Sequence, residues 1–592
     1  MKVLGLGTEG DSGAAIIEDG RIIAAINEER LARLKLVTGF PRASILEVLR
    51  LSNTSVDELS AVLIGGKDDL LVDELEPFDG WFQYKPSGIG GIIKRSTHLF
   101  ARYRNELPFL ETAYYTLLEP TFQRRRAGLR QILEAEFGIT CPIEFVDHHF
   151  CHITSAYYTS GFDDALVISL DGGGDAKSGR VYTVRDGVFE SLDETATYNS
   201  LGNYYAYVTH MCGFKAMKHE GKITGLAAHG EPKYLDLLRE FIVVEEGRLV
   251  NKGRVVFQSA IDELGRRLPK GWTREDMAAS IQVHFEELTA SFVQYWARKT
   301  GLRKVAVAGG VFANVRVNQV VHELAEVDEI HIHPHMGDGG LAVGAGLAAC
   351  VPGTLERTMP AVREPIADVY LGTELTDEAI LAAFRKFGLE PEAFDGPIEE
   401  MVADLLVQGH VVARANGRME YGPRALGNRS ILYQPTDRSV NDWLNHNLRR
   451  TEFMPFAPST LYEERERCFE NVAGADHAAE FMTITFDCTP WMRESMEGVV
   501  HVDGTARPHL VRKDRNPSFY RIIEAFYERT GLPAIINTSF NMHEEPIVCS
   551  AEDCVRAFIS GNLDYLAIGN YLVKHPEGVN HALQPVAGMH SA

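Results

Sequence analysis

Short apolar segments that alternate with glycine-rich turns occur twice in the first third of the chain. Residues 3–27 predict a strand, a glycine-rich turn, a second strand, a tight turn at Asp19-Gly20 and a third strand. The same order of elements recurs over residues 165–189, where Asp186-Gly187 is the tight turn. An Asp-Gly pair between two apolar runs is a strong signal for a β-hairpin. The repetition predicts an internally duplicated domain.

The two glycine-rich turns carry carboxylates, Asp11 in the first turn and Asp171 and Asp175 in the second. If the turns face each other across a cleft, their backbone N–H groups can hold phosphates while one of these carboxylates meets a cation. A buried-type strand over 305–308 then opens at two glycines into a predicted helix, which suits close approach by a nucleotide. A turn in which these glycines serve packing alone is the alternative.

Two histidines four residues apart, His148 and His152, form the first candidate metal site. In a helix this spacing puts both imidazoles on one face. Asp338 lies in a glycine-rich turn after another predicted strand and is available as a third ligand. Two histidines and one carboxylate make an open facial site suited to iron(II) or another divalent cation. A buried histidine pair that bonds to backbone and hydroxyl groups is the alternative.

The segment 353–374 has prolines, scattered charge and no sustained period, and it reads as a linker. We therefore predict two domains, residues 1–355 and 365–592. The second domain concentrates arginines among glycines, prolines and apolar residues, where arginine forks bind phosphate or carboxylate. This pattern predicts a site for a polyanionic small molecule, with surface ion pairs as the alternative. The arginines singled out are Arg418, Arg424, Arg429, Arg449 and Arg507.

Composition limits the kinds of binding partner and the cellular compartment that we expect. The 592-residue chain has 82 acidic and 59 basic residues, a formal net charge of -23, which argues against nucleic acid as the main partner. The first apolar run is short and breaks at glycine, so no signal peptide is expected, and no run reaches membrane-helix length. Eight cysteines without a CxxC pair indicate reduced thiols. We expect a cytoplasmic protein with no membrane partner.

Two further segments have both a structural and a functional interpretation. Residues 123–126, a glutamine followed by three arginines, look like a solvated helix face, with anion binding as the alternative. The aromatic segment 78–115 is interpreted as an insertion over the cleft, where substrate selectivity often resides, or as packing.

Eight sequence blocks occur in one order across almost the whole chain. They are VDHHFCHITSAY, KHEGKITGLAAHG, GGVFANVRVNQ, GDGGLAVGAG, GRMEYGPRALGNRSIL, TEFMPFAP, HVDGTARP and NTSFNMHEEPIV. Together these blocks resemble the NodU/CmcH carbamoyltransferases. The resemblance implies an α/β fold class. It implies a duplicated actin-like, sugar-kinase-like (ribonuclease-H-like) domain, close to the threonylcarbamoyl-tRNA transferase, joined to a YrdC-like α/β domain.

The resemblance also implies a reaction, ATP-dependent O-carbamoylation of a hydroxyl on a small-molecule metabolite. The YrdC-like domain would convert carbamoyl phosphate and ATP, with Mg²⁺, to carbamoyl-adenylate and pyrophosphate. The first domain would transfer the carbamoyl group to the acceptor. A ligand set of His148, His152 and Asp338 would hold Fe²⁺ or another divalent ion that polarises the carbonyl of the adenylate.

Further roles are carried over by motif, residue by residue. Arg418, Arg449 and Arg507 would clamp phosphates in the second domain, and Arg424 and Arg429 lie in the same blocks. The residues that would line the nucleotide in the first domain are Lys218, Glu220, Gly309, Gly310 and Asn314. The residues matching the end of the YrdC-like pattern, or lying beside it, are Asn537, Ser539 and Asn541.

One position departs from the family pattern. Family members commonly have a His-Asp-Ser-Ser-Ala type turn near the amino terminus, whereas this chain has Gly10 in place of the histidine and keeps Asp11. If that histidine deprotonates the acceptor, this enzyme must use another base or a more acidic acceptor. His149 is a candidate base, and Asp11 can still orient substrate or cation.

Other classes of function stay open at this point. A small-molecule kinase of the actin-like fold would release ADP, and a non-catalytic ATP-gated binding module would turn over ATP slowly without regard to carbamoyl phosphate. Threonylcarbamoylation of tRNA is close in chemistry, yet the net charge opposes it. The sequence does not name the acceptor, the metal among iron, zinc and manganese, or the oligomeric state, for which a homodimer is one alternative.

Overall fold

The computed structural model describes residues 1–68, 74–78, 80, 82, 109–449 and 455–578, with side chains omitted at 109–115 and 117. Most of the predicted insertion at 78–115 therefore lies outside the described residues. The chain divides into two compact units. The first comprises Met1–Glu28 and Leu36–Ile366, and the second comprises Glu29–Lys35 and Ala367–Ala592.

The first unit contains two five-stranded sheets with the same topology. In each sheet the first three strands form an antiparallel meander, and two further strands continue in parallel beside the first. The spatial order in one sheet is Arg21–Asn27, Gly13–Glu18, Lys2–Gly7, Leu59–Gly65 and Ile143–Val146. The order in the other is Val188–Ala196, Lys177–Arg185, Ala165–Gly174, Lys304–Ala308 and Glu329–Ile332. The repeat predicted from the sequence is present, and the α/β class is confirmed.

Both predicted Asp-Gly turns connect the second and third strands of their sheets. Asp19 and Gly20 have φ values of 46° and 81°, and Asp186 and Gly187 have values of 50° and 78°. Positive φ at both central residues is the type I′ geometry that matches the twist of a hairpin. Aspartate and glycine tolerate this backbone better than other residues, so the dipeptide fixes where each meander turns.

The central strands are buried on both faces, because helices cover them. All residues of Lys2–Gly7 except the first are buried. The helix Leu341–Leu347 packs on this strand and on the helix His148–Ser160. An added Cβ at Gly5 would lie 2.0 Å from the carbonyl oxygen of Ala342, so this close approach requires glycine. The helices described wholly within the first unit are Arg42–Leu51, Phe109–Phe137, His148–Ser160, Leu201–Met211, Glu220–Ala227, Leu235–Arg239, Gln258–Arg267, Arg274–Thr300, Val315–His322 and Leu341–Leu347, and the short helix Glu28–Ala32 begins at its last residue before the second unit.

The solvated face predicted at residues 123–126 of the helix Phe109–Phe137 is present at Gln123 and Arg124, which are exposed, but the prediction is wrong for Arg125. Arg125, predicted on a solvated face, is only 2% exposed. It shares the apolar helix face with Phe122 and Leu129, at helical spacing, and both of these are buried. Its guanidinium donates to the carbonyl of Gly66 at 3.0 Å and to Thr8 Oγ1 at 2.8 Å.

The second unit is built on one mixed eight-stranded sheet. Two of its neighbouring pairs are parallel and the others are antiparallel. The spatial order is Glu392–Ala393, Tyr571–Lys574, Tyr565–Ile568, Val412–Ala415, Arg429–Tyr433, Ala534–Ser539, Ala457–Leu461 and His509–Val511. The helices described within residues 367–578 are Asp377–Phe387, Ile398–Val407, Val440–Asn447, Arg465–Cys468, Asp476–Ala479, Pro490–Ser495, Pro517–Thr530 and Ala551–Ser560.

The core of the second unit lies where Ile398–Val407 and Pro517–Thr530 pack against each other and against the sheet. Phe519 and Phe526 are fully buried in this cluster. Three two-stranded sheets complete the described fold, one in the second unit and two in the first. They pair Phe486–Asp487 with Thr505–Ala506, Val37–Thr38 with Glu76–Pro77, and Ile242–Glu245 with Arg248–Asn251. Among the helices described, none is long and apolar enough to span a bilayer.

Candidate functional site

The helix His148–Ser160 presents its histidines to the interior of the first unit. Its first turn is fixed by Asp147, which accepts from the backbone N–H of Phe150, and by Asp175, which accepts from that of His148 at 2.7 Å. His148 and His152 are 0% and 1% exposed, and their ring centroids lie 4.9 Å apart. The predicted pairing of these imidazoles on one helix face is present.

Two carboxylates meet the histidines. Asp171 lies in the strand Ala165–Gly174, and its Oδ2 is 3.4 Å from Nε2 of His148 and 3.9 Å from Nε2 of His152. Asp338 precedes the helix Leu341–Leu347, and its Oδ1 is 3.6 and 3.7 Å from the same two nitrogens. One ligand atom from each of the four residues lies within 4.8 Å of the others. The structure therefore adds Asp171 to the three predicted ligands.

The donor set of this cluster fits a divalent metal ion. Two imidazole nitrogens and two carboxylate oxygens suit zinc, iron or manganese. Nε2 of both histidines and Oδ1 of Asp338 are buried and have no hydrogen-bond partner among the described residues. Converging lone pairs in a buried site need a cation to compensate them. The four residues are the ones that would hold such an ion.

The pKa shifts within the cluster also favour a positive charge beside its carboxylates. Burial disfavours a charged His148, but its ion-pair contact with Asp171 and its hydrogen bond with Glu9 outweigh burial and hold the pKa of His148 well above its usual range. Burial alone would raise the pKa of Asp171, yet His148 and His152 lower it below its usual range. The two carboxylates therefore favour a positive charge at the His148 imidazole.

The other two carboxylates of the glycine-rich turns do not join the cluster in the structure. Asp11 lies beside His335, with Oδ2 at 3.5 Å from Nε2. Asp175 accepts from the backbone N–H groups of Lys67, Asp68 and His148 and so holds the start of the histidine helix. The role predicted for Asp11, orientation of a substrate or cation, stays a prediction.

Gly10 occupies a position that has no room for a side chain. Its φ is +50°, and an added Cβ would lie 2.2 Å from Oδ2 of Asp338. The proximity of Asp338 explains why glycine, and no histidine, fits here. His149, the candidate base, bonds through Nδ1 to Ser169 Oγ at 3.0 Å. Burial, together with the neighbouring His148 and His152, holds the pKa of His149 well below its usual range.

The contact at Gly10 gives a first testable prediction. Gly10→Ala is expected to weaken binding of Co²⁺, used as a probe, by about tenfold or more, because the methyl group displaces the Asp338 carboxylate. Competition with a chromogenic chelator measures this affinity. Gly301→Ala is the matched control, since Gly301 also has positive φ, +70°, but nothing within 4 Å of its added Cβ. Equal affinity in the two variants would contradict the prediction.

The residues predicted to line a nucleotide lie close to the cluster or in a polar network beside it. Gly310 donates its backbone N–H to Asp171 Oδ1 at 2.8 Å, and Gly309, at φ +102°, lies against the carbonyl of Leu170. Asn314 caps the helix Val315–His322 and donates to Gln282 Oε1 at 2.9 Å.

The polar network continues to the helix that carries Glu220. Tyr205 donates to Gln282 Oε1 at 2.8 Å and lies 3.2 Å from Thr224 Oγ1. Glu220 accepts from the backbone N–H of Met217 at 2.6 Å, and burial raises the pKa of Glu220 to about 7. Lys218 is partly exposed nearby in sequence. Sequence reasoning missed Tyr205 and Gln282, which lie within the helices Leu201–Met211 and Arg274–Thr300 and carry no local motif.

In the second unit the predicted arginines differ in how far the side chain is exposed. Arg429 is fully buried and donates to the carbonyls of Asn416, Asn428, Thr373 and Gly417, which leaves Nε without a partner among the described residues. Arg418 is half-buried and donates to the carbonyl of Leu371 at 2.6 Å. Arg449 is exposed, and Arg424 and Arg507 are partly exposed.

A carboxylate that sequence reasoning missed organises the arginine-rich block. Glu420 is 3% exposed, and its Oε1 accepts from the backbone N–H groups of Leu426, Asn428 and Arg429 at 2.8, 2.7 and 3.0 Å. Three amide donors on one oxygen fold the segment 420–429 into a fixed loop. The signal in the sequence that could have identified Glu420 is its place as the one acidic residue among the arginines and glycines of this block.

The sheet brings two of the predicted blocks together. Ser539 pairs in register with Ser430, and Asn537 with Leu432. Asn537 donates through Nδ2 to the carbonyl of Ala425 at 3.1 Å and to Ser459 Oγ at 2.9 Å. Asn541 donates to the carbonyls of Met542 and Glu545.

Comparison with known proteins identifies the class. Residues 2–347 match the carbamoyltransferase N-terminus family, and residues 403–575 match the carbamoyltransferase C-terminus family. The chain belongs to the carbamoyltransferase family, and it is an enzyme that transfers a carbamoyl group. The predicted resemblance to the NodU/CmcH proteins is confirmed.

Two relatives and one solved structure illustrate the range of similarity. Nodulation protein NolNO of Sinorhizobium fredii is 30% identical over 576 residues, which cover 95% of this chain and 79% of the relative. The 3'-hydroxymethylcephem-O-carbamoyltransferase of Amycolatopsis lactamdurans is 29% identical over 278 residues, 46% of this chain and 49% of the relative. The structure of full-length HypF in its phosphate- and nucleotide-bound form aligns with a TM-score of 0.34 and 12% identity, over 60% of this chain and 56% of HypF. That score is too low to support a conclusion.

Proposed function

We propose that this protein is an ATP-dependent O-carbamoyltransferase that works in two half-reactions. In the first, carbamoyl phosphate and water give carbamate and phosphate, and carbamate attacks the α-phosphate of ATP to give carbamoyl-adenylate and pyrophosphate. In the second, a hydroxyl of a small-molecule metabolite attacks the carbamoyl carbon and releases AMP. The observation that carries the proposal is the buried His148, His152, Asp171 and Asp338 cluster in a chain of the carbamoyltransferase family.

We assign adenylate formation to the second unit, a YrdC-like domain in this proposal. Its reactants are polyanions, and guanidinium forks bind phosphate oxygens in pairs. Arg418, Arg449 and Arg507 are the proposed clamps, since Arg449 is exposed and the other two are partly exposed. The three hydrogen bonds to Glu420 fix the loop from which Arg424 projects, and Asn428 of the same loop donates to the carbonyl of Arg418. Mg²⁺ accompanies ATP as its counter-ion.

We assign carbamoyl transfer to the duplicated first unit. A divalent ion bound there would supply Lewis acidity at the carbamoyl carbonyl. His148, His152, Asp171 and Asp338 would hold the ion, and Fe²⁺ is the proposed occupant, with zinc and manganese as alternatives. Gly309, Gly310 and Asn314 would line the adenylate. Asp11 would orient the acceptor, since its carboxylate lies next to the turn that touches Asp338.

The acceptor is proposed to be a hydroxylated metabolite. One relative is named for carbamoylating a hydroxymethyl group of a cephem, a small molecule rather than a macromolecule. The formal charge of -23 opposes binding to nucleic acid. We place the reaction in the cytoplasm, where ATP and carbamoyl phosphate are supplied.

The proposal is tested by incubating the pure protein with ATP, Mg²⁺ and carbamoyl phosphate. Pyrophosphate release that depends on carbamoyl phosphate is expected, together with a product that has the mass of carbamoyl-adenylate. ATP alone is the control. ADP formation on addition of sugars or acids would move the assignment to a kinase, and slow ATP turnover indifferent to carbamoyl phosphate would indicate an ATP-gated binding module.

A further inference from the structure

Both ring nitrogens of His148 lie close to carboxylates. Nε2 faces Asp171 and Asp338, and Nδ1 lies 3.1 Å from Oε2 of Glu9. The ring is 0% exposed, so water does not compete for Nδ1. An added Cβ at Gly174 would lie 2.3 Å from Nδ1, which shows that the backbone of this strand is in close contact with the imidazole.

We propose that Glu9 is the positioning residue for the metal ligand His148. The inference rests on the metal site of the proposed function and adds to it a residue outside the ligand group. Nδ1–H of His148 donates to Glu9, which leaves the lone pair of Nε2 directed at the ion. A carboxylate on the remote nitrogen fixes the tautomer and ring orientation of a metal-bound histidine and raises its basicity as a ligand.

Glu9 is itself held by its neighbours. Thr8, the residue before it, accepts from Nη2 of Arg125 at 2.8 Å, and Arg125 is buried and also donates to the carbonyl of Gly66. The turn after Glu9 is restrained because Gly10 abuts Asp338. The Glu9 side chain is 17% exposed, so it reaches His148 from the edge of the site without becoming a ligand itself.

The carboxylates near Glu9 do not compete with it for Nδ1 of His148. Asp11 and Asp175, the other carboxylates nearby, have different partners, since Asp11 lies beside His335 and Asp175 accepts backbone N–H groups. Glu9 therefore carries the one carboxylate within hydrogen-bond distance of the His148 Nδ1 atom among the described contacts.

The test measures metal binding and does not require turnover. Apoprotein prepared with a chelator is titrated with Co²⁺ in competition with a chromogenic chelator, and the visible spectrum of bound Co²⁺ is recorded. Glu9→Ala is expected to weaken Co²⁺ binding by about 10- to 100-fold. Glu9→Gln, whose amide oxygen still accepts from Nδ1–H but carries no charge, is expected to show an intermediate loss and a spectrum close to wild type.

Glu18→Gln is the matched control. Glu18 ends the strand Gly13–Glu18 and pairs with Lys2, at the far end of the same hairpin from Glu9. This variant is expected to bind Co²⁺ as the wild type does. Wild-type affinity in both Glu9 variants would overturn the inference. If Glu9→Ala does not fold, Glu9→Gln decides alone, since intermediate affinity supports the inference and unchanged affinity overturns it.

The outcomes also separate this inference from the proposed metal site. If wild-type protein binds Co²⁺ and His148→Ala does not, the metal site stands, and the Glu9 variants then test positioning alone. If wild-type and His148→Ala proteins bind Co²⁺ equally weakly, the metal site itself is refuted and the inference falls with it. A lower melting temperature of the apoprotein with unchanged Co²⁺ affinity would assign Glu9 a structural role only.

Discussion

Replacement of His148 by alanine is expected to reduce carbamoyl transfer by roughly a thousandfold or more while pyrophosphate release continues. The imidazole is central to the cluster, within 3.4 Å of Asp171 and 3.6 Å of Asp338. Its loss leaves two carboxylates and one histidine, a poorer site for a divalent ion. Lewis-acid stabilisation contributes several kcal/mol to a transition state, and about 1.4 kcal/mol corresponds to a factor of ten in rate.

Two assays on the same preparation separate the half-reactions. Carbamoyl transfer is followed by the mass of the carbamoylated acceptor, and adenylate formation by pyrophosphate. His284→Ala is the matched control, because His284 is also buried on a helix of the first unit but lies outside the cluster. It is expected to lose stability and keep transfer. Loss of both activities in His148→Ala, with the fold intact, would refute the division of labour between the units.

Local chemistry was sufficient to predict the duplicated hairpins and the histidine pair. An Asp-Gly dipeptide accepts the positive φ values of its turn, so its position in the sequence is its position in the fold. The spacing of His148 and His152 needs only the helix that they share. These features depend on residues close in sequence, and a single chain carries that information.

The choice of Asp171 as the fourth member of the cluster could not be made from sequence. Asp11, Asp171 and Asp175 all follow or occupy glycine-rich turns and look alike locally. What distinguishes them is tertiary: Asp175 accepts backbone N–H groups from a distant loop, and Asp11 lies beside His335. Only the folded arrangement of both sheets leaves the Asp171 carboxylate facing the histidines.

The burial of individual arginines could not be predicted from the sequence either. Arg125 looked like a surface residue and Arg429 like part of an anion site, yet both are buried. The Arg125 guanidinium donates to the carbonyl of Gly66 and to Thr8 Oγ1, and that of Arg429 donates to four backbone carbonyls. A guanidinium offers the same five N–H donors to a phosphate or to a set of carbonyl groups. Whether carbonyls converge on it depends on how distant segments fold.

Arg418 is the arginine for which we expect the largest effect in the second unit. Arg418→Ala is expected to lower carbamoyl-phosphate-dependent pyrophosphate release by about 100- to 1,000-fold, as loss of one preorganised donor to developing charge typically does. The side chain is half-buried, and the hydrogen bond from its Nη2 to the carbonyl of Leu371, at 2.6 Å, restrains the fork. Arg418→Lys keeps the charge but loses the two-pronged geometry, so most of the loss should persist.

Arg385→Ala controls for the loss of a positive charge from the second unit, since Arg385 is exposed in the last turn of the helix Asp377–Phe387. It is expected to release pyrophosphate at the wild-type rate. Transfer from separately prepared carbamoyl-adenylate should survive in Arg418→Ala, because that step belongs to the first unit. Wild-type pyrophosphate release by a folded Arg418→Ala protein would exclude this residue from the phosphate clamp and shift the clamp to Arg449 and Arg507.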